Sequence, residues 1–158
     1  MKIFILGAPA SGKTTIASKI REVSDVRAID ADDEIIALNN GVWPDIETKN
    51  NTLLPRVVEE AINADAVVLF NSYMPAAELD RLKTAGFKIM LLEVSEKELE
   101  RRHIERQTTT EGWRNEEWFE WHQAIIKELR KKKYIDEVIS GEQLTQEIVK
   151  LILSSESS

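Results

Sequence analysis

The chain has 158 residues, enough to bury one substantial core and too few for a second. Its 28 Asp and Glu against 21 Lys and Arg leave a net charge of −7, which disfavours a long nucleic-acid backbone as partner. With no cysteine and two histidines, disulfides and cysteine-ligated zinc are excluded and a histidine-rich metal site is disfavoured.

Lys2 to Leu6 is a short Ile- and Phe-rich run, the pattern of a buried strand. Met1-Lys2 before that run and Ala8-Pro9-Ala10 after it imitate a secretory leader. The run is too short for one, and no stretch approaches a membrane span, so no membrane partner is expected.

Gly7-Ala8-Pro9-Ala10-Ser11-Gly12-Lys13-Thr14 then fits the P-loop pattern of Gly, four residues, Gly, Lys and Ser or Thr. Thr14 to Val23 has helical apolar spacing, so the motif lies between strand and helix, as the chemistry requires. Glycines let successive N–H groups aim at one point, and the helix start adds its positive dipole end. Gly7, Ala10, Ser11, Gly12, Lys13, Thr14 and Thr15 are therefore read as a nucleotide-phosphate cradle. Lys13 reaches the outer phosphates, the Thr14 hydroxyl is placed for Mg²⁺, and Thr15 supports the helix start rather than the metal.

Val26 to Ile29 reads as a second strand that delivers Asp30-Ala31-Asp32-Asp33 at its carboxyl end, where open α/β sheets place chemistry. In extended geometry Asp30 and Asp32 share a side, one to hold Mg²⁺ and the other to orient or deprotonate an acceptor hydroxyl. The competing expectation is that Asp32 or, more readily, Asp33 caps a helix from Glu34 to Leu38. Asn39-Asn40-Gly41 ends that helix, and a polar loop follows to about Asn51. Its Trp43 serves either a substrate-side flap or the core.

A helix over Leu53 to Ala64 carries Arg56 opposite its apolar side, either an anion binder or a solvated arginine. Ala66 to Phe70 is a central parallel strand. Asn71-Ser72-Tyr73 ends it without an acid, which shifts metal handling toward Thr14 and Asp30. Ala76 to Ala85 is a helix closed by Gly86, and Phe87 to Val94 a fourth strand.

Glu96 to Gln107 places Arg102 and Arg106 on one helical face, to grip phosphates or stack on a base; the alternative is pairing with Glu98 and Glu105 on a solvated surface. Thr108 to Gly112 is a polar break suited to a lid over about 106–116, closing with Arg106 or Arg114. Glu116 to Lys133 is a helix whose Trp118, Trp121, His122, Ile125, Ile126 and Leu129 form a core stripe, with His122 structural. Ile135 to Ile139 is a fifth strand, Ser140-Gly141 a turn, Gln143 to Leu153 the last helix and 154–158 a flexible tail. The alternation predicts one α/β domain over 1–153, a three-layer P-loop fold with a five-stranded parallel sheet between helices and a small lid.

GAPASGKTT at 7 to 15, Asp30-Ala31-Asp32 and LERRHIER at 99 to 106 together resemble the small P-loop kinases, closest in pattern to the shikimate and gluconate kinase branch of the nucleoside monophosphate kinase-like group. The resemblance implies ATP as donor, Mg²⁺, a small-molecule acceptor and a mobile lid. It implies Asp30 for the metal, Asp32 for the acceptor hydroxyl, Arg102 and the Ser140-Gly141 turn beside the base, and Arg106 or Arg114 at the transferring phosphate. Two departures bear on the acceptor: Asn71-Ser72-Tyr73 stands where shikimate kinases have a glycine triplet, and there is no arginine between Arg27 and Arg56. The expectation is a cytoplasmic ATP-dependent kinase acting on a hydroxyl. The alternatives are a nucleoside or deoxynucleoside monophosphate kinase and a nucleotide-binding regulatory module.

Overall fold

Alternate residues of the first strand, β1 (Lys2–Gly7), feed two separate cores, and the whole architecture follows from that period of two. Phe4 and Leu6 pack on one side, Ile3 and Ile5 on the other, all essentially without solvent contact. A computed structural model describes the backbone of residues 1–107 and 116–155, with side chains throughout except at 106–107 and 116–119. The expected lid, Arg114, the Arg106 side chain and the last residues of the expected tail lie outside the described residues.

The elements run α1 (Lys13–Val23), β2 (Arg27–Asp30), α2 (Ala31–Leu38), α3 (Ile46–Thr48), a π-helical turn (Lys49–Leu53), α4 (Leu54–Asn63), β3 (Val67–Asn71), α5 (Ala76–Thr84), β4 (Lys88–Glu93), α6 (Glu96–Gln107), α7 (Glu116–Lys131), β5 (Glu137–Ser140) and α8 (Thr145–Ser154). The strands form one parallel five-stranded sheet in the order β2-β3-β1-β4-β5. Helices α1 and α8 cover one face through Ile16, Ile20, Ile148 and Ile152; α2, α4, α5 and α7 cover the other through Ile35, Val57, Leu79 and Ile126. Each such side chain stabilises the fold by roughly 1.5–3 kcal/mol on burial. Among the described residues no helix is long and apolar enough to cross a membrane.

The order sends the chain from β1 outward to β2, back to β3 and then across β1 to β4. That reversal opens a crevice at the carboxyl ends of β1 and β3, where Leu6 lies in register with Asn71. The P-loop leaves β1 into this crevice, and Asp30 reaches it from β2, level with Phe70.

Three expectations need correction. Helix α2 begins at Ala31, not Glu34, because Asp30 is the cap: its Oδ1 accepts from the N–H groups of Asp32 at 3.0 Å and Asp33 at 3.4 Å. The stretch after Trp43 is not all loop, since Ile46 to Leu53 is helical, capped by Asp45. Pro55 has no N–H to offer the Asn51 carbonyl, so an ordinary helical ladder cannot run through this point and the π turn takes its place. Strand β5 starts at Glu137 rather than Ile135, because the Asp136 carboxylate accepts the Ile89 N–H at 2.7 Å and occupies a ladder position.

Candidate active site

The P-loop turns on two left-handed residues. Gly12, at φ 102°, adopts a conformation that suits glycine, and it lets α1 start with Lys13 at its first position. Ala10 has φ 65° without a glycine's freedom, a local strain that nothing in the loop's sequence spacing announces. Lys13 folds back across the loop, its Nζ donating to the carbonyls of Gly7 and Ala8, each at 2.8 Å. The ammonium thus sits at the mouth of the N–H cradle.

Beside it stands the acidic corner. Thr14 Oγ1 donates to Asp30 Oδ2 at 3.3 Å, while the other Asp30 oxygen caps α2. Asp32 is in the first turn of α2 and does not share an extended strand with Asp30, so their common side comes from the strand-to-helix corner and not from strand alternation. Burial pushes the Asp32 carboxyl above its ordinary range; Lys49 and Lys13 oppose that, and Asp30 and Asp33 reinforce it. Asp33 is raised as well, by burial and by Asp30. A carboxylate held this way is a better proton acceptor than a solvated one.

The third wall is the end of β3. Asn71 is 3% exposed; its Oδ1 accepts the Ser72 N–H at 2.9 Å, which fixes the amide so that Nδ2 is the other end, a buried donor with no hydrogen-bond partner. Helix α7 braces this corner from outside. His122, 1% exposed, donates from Nε2 to the Ser72 carbonyl at 2.5 Å, and Trp121 packs on Tyr73 with ring centroids 5.3 Å apart. Burial lowers the His122 pKa to about 4, so the imidazole is neutral at neutral pH. His122 is the structural residue expected. Trp121 departs from the expected core stripe, being 45% exposed at the cleft.

These walls enclose a cleft of about 1020 Å³ that runs from Gly12, Lys13 and Thr14 past Asp30 and Asp32 to Asn71 and Tyr73. Trp43, half exposed, lines it and is not a core anchor. Arg56 is exposed on α4 and is not part of the lining. Lys49 and Asn50 of the π turn are. Neither stands out in the sequence, where they read as polar loop; the local clue is Pro55, which cannot continue an ordinary helical ladder from the turn that carries them.

A second cleft of about 400 Å³ lies on the other side of the loop and shares Ala10 and Gly12 with the first. Here Arg102 Nη1 donates to the Ala10 carbonyl at 3.1 Å and Nη2 to the Gly141 carbonyl at 3.0 Å, with Nε held by Glu98 at 3.1 Å. A β-carbon on Gly141 would meet Val94 Cγ2 at 2.5 Å and the Ser11 carbonyl at 3.2 Å, so only glycine lets the turn after β5 approach the P-loop this closely. Ser11, Thr15 and Gln143 are also part of the lining. Ser140 is exposed and lies outside it. Of the two adjacent arginines on α6, Arg101 pairs with Glu98 and Glu105 on the surface, while Arg102 reaches the loop.

No family model and no curated protein sequence matches the chain. Solved structures do. A shikimate kinase from Aquifex aeolicus superposes over 98% of this chain and 95% of its own, with a TM-score of 0.70 at 21% identity. A shikimate kinase from Acinetobacter baumannii, in complex with shikimate, gives 0.68 at 22% identity over 99% and 95%. A gluconokinase from Sinorhizobium meliloti gives 0.59 at 19% over 94% and 87%. The chain therefore has the P-loop kinase fold seen in shikimate kinase and gluconokinase.

Proposed function

We propose that this chain is an ATP-dependent kinase that transfers the γ-phosphoryl group to a hydroxyl of a small molecule. One observation carries the reading: a single cleft contains both the P-loop residues Gly12, Lys13 and Thr14 and the half-buried carboxylate of Asp32. The likeness to shikimate kinase and gluconokinase structures supports it. In a site of this kind catalysis is positioning and charge neutralisation.

In this reading the N–H groups from Gly7 to Thr15 hold the phosphates, and Lys13 exchanges its loop carbonyls for phosphate oxygens. Asp32 orients the acceptor hydroxyl and receives its proton. Arg102, with the Ser140-Gly141 turn, forms the base side, and Arg106 or Arg114 closes on the transferring phosphate from the lid. The domain spans 1–153 and works in the cytoplasm, where ATP is supplied.

The donor set fits Mg²⁺: Thr14 Oγ1 and Asp30 Oδ2 are hard oxygens side by side, and among the described residues no cluster of three or more acidic, histidine or cysteine ligands offers an all-protein cage. Magnesium keeps waters and phosphate oxygens as most of its shell, so Thr14 and Asp30 suffice to hold it, and it would supply charge neutralisation at the phosphates.

A nucleoside monophosphate kinase is the weaker reading. Its acceptor brings a doubly charged phosphate, yet Arg56 is not part of the cleft lining and the described cations there are Lys13 and Lys49. The test is ADP release from Mg²⁺-ATP with pooled hydroxyl metabolites in one arm and pooled nucleoside monophosphates in the other, with Lys13→Ala as the blank. Stimulation by the hydroxyl pool is expected. Stimulation by the monophosphates alone would replace this reading with the weaker one, and ATP binding without transfer to either would favour a regulatory module.

A further inference from the structure

The acceptor half of the cleft, beyond Asp32, is lined by side chains of a consistent kind. Trp43, 50% exposed, and Ile46, 77% exposed, stand on one rim; Tyr73 and Trp121, packed together, stand on another. Large apolar side chains left open at a cleft mouth lower the free energy of a ligand that covers them. The lining also includes Asn50 and Asn71, each with one amide atom that has no hydrogen-bond partner. Asn71 Nδ2 is a buried donor and Asn50 Oδ1 a buried acceptor, each with no partner. A buried amide atom left without a partner is destabilising, so a ligand whose polar edge draws either amide into a hydrogen bond is favoured.

Charge narrows the class. Among the described residues, the cations lining the cleft are Lys13, which belongs to the P-loop, and Lys49. Lys49 Nζ lies 5.1 Å from the centroid of the Trp43 ring, and its field falls on Asp32. Opposing it are Asp30, Asp32 and Asp33. A carboxylate or phosphate on the acceptor would enter a region whose charge is already balanced or negative.

We infer that the acceptor is an uncharged, ring-bearing alcohol, which lays an apolar ring face against Trp43, Tyr73 and Trp121 and turns a polar edge to Asn50 and Asn71. Nucleosides and free sugars share this chemistry: a hydroxyl, a flat or C–H-rich face, and an edge with both donors and acceptors. Hydroxy acids and sugar phosphates do not. The inference rests on the kinase reading for its word "acceptor", while the ligand class stands on the cleft itself and can be tested separately.

The experiment pairs binding with turnover. Intrinsic tryptophan fluorescence of the full chain, with ADP present, is titrated with uridine, glucose, gluconate and shikimate, and ADP release from Mg²⁺-ATP is followed with the same compounds. Uridine or glucose is expected to change the emission and to bind at least tenfold more tightly than both acids, and the better of the two identifies the source. Trp43→Ala and Trp121→Ala, both at partly exposed positions that the core does not need, should each weaken that binding about tenfold and leave the KM for ATP unchanged. Tighter binding of gluconate or shikimate, or indifference of the affinity to both tryptophan replacements, overturns the inference with the kinase reading intact. Binding of the uncharged compound without any ADP release upholds the ligand class and overturns the kinase reading. No emission change with any of the four compounds overturns the inference.

Discussion

His122 on α7 donates its Nε2 proton to the carbonyl of Ser72 at the end of β3, 2.5 Å away, so α7 is pinned to the wall of the cleft. The imidazole does this as a neutral group.

That neutrality has a consequence for acid stability. The His122 pKa is lowered from 6.5 to about 4 by burial, so the unfolded chain binds the proton first as pH falls. Stability is therefore complete above about pH 6.5 and declines as the pH drops toward 4, by roughly 3 kcal/mol in all. Urea unfolding at intervals across that window should show the decline. His122→Gln, which keeps a donor for Ser72 and cannot titrate, should flatten it.

Asp32→Asn should separate activity from stability. Burial raises the Asp32 pKa in the folded state, so between the ordinary carboxylate range and that raised value the folded chain binds more protons, and stability falls as pH rises through the window. At neutral pH the ionised group is a burden on the fold. The amide should raise the melting temperature at pH 7 while reducing turnover by about 10²-fold or more, with ATP affinity nearly intact. A lower melting temperature, or unaltered turnover, would contradict the role assigned to it.

Ala10 is held at φ 65°, where an L side chain is disfavoured by about 1–2 kcal/mol and glycine is not. Glycine also loses more conformational freedom on folding, which offsets part of the relief. Ala10→Gly should stabilise the chain by about 0.5–1 kcal/mol in urea unfolding.

Arg102 joins the carbonyls of Ala10 and Gly141, and so ties the P-loop to the turn after β5. Arg102→Ala removes charge-assisted bonds of the kind that contribute roughly 1.5–3 kcal/mol. The expected result is a rise of about tenfold in the Kd for ATP, read by calorimetry, with acceptor affinity little changed.

What the sequence determined by itself is whatever depends on local order along the chain. The Gly7 to Thr14 spacing between an apolar run and a helical pattern is enough for a phosphate loop, because such a loop is built from consecutive N–H groups. The alternation of strands and helices is enough for a parallel sheet, since parallel neighbours need crossovers. Asp30 is a candidate from its place at a strand's carboxyl end and Arg102 from helical spacing; the structure puts Asp30 beside Thr14 and Arg102 against the phosphate loop.

The tertiary structure decided what depends on which distant segments meet. That Asp30, rather than Asp33, caps α2 follows from where β2 ends against β3, level with Phe70. That Trp121 lines a cleft while Ile126 is core follows from how α7 is turned against its neighbours, a rotation that helical periodicity leaves open. Lys49 and Asn50 emerged only with the π turn, and the two unpartnered amide atoms only once the end of β3 and that turn lined one cleft. Periodicity reports which side of a helix is apolar; burial, and with it every shifted pKa and unpaired donor in this site, is set by the neighbours the fold supplies.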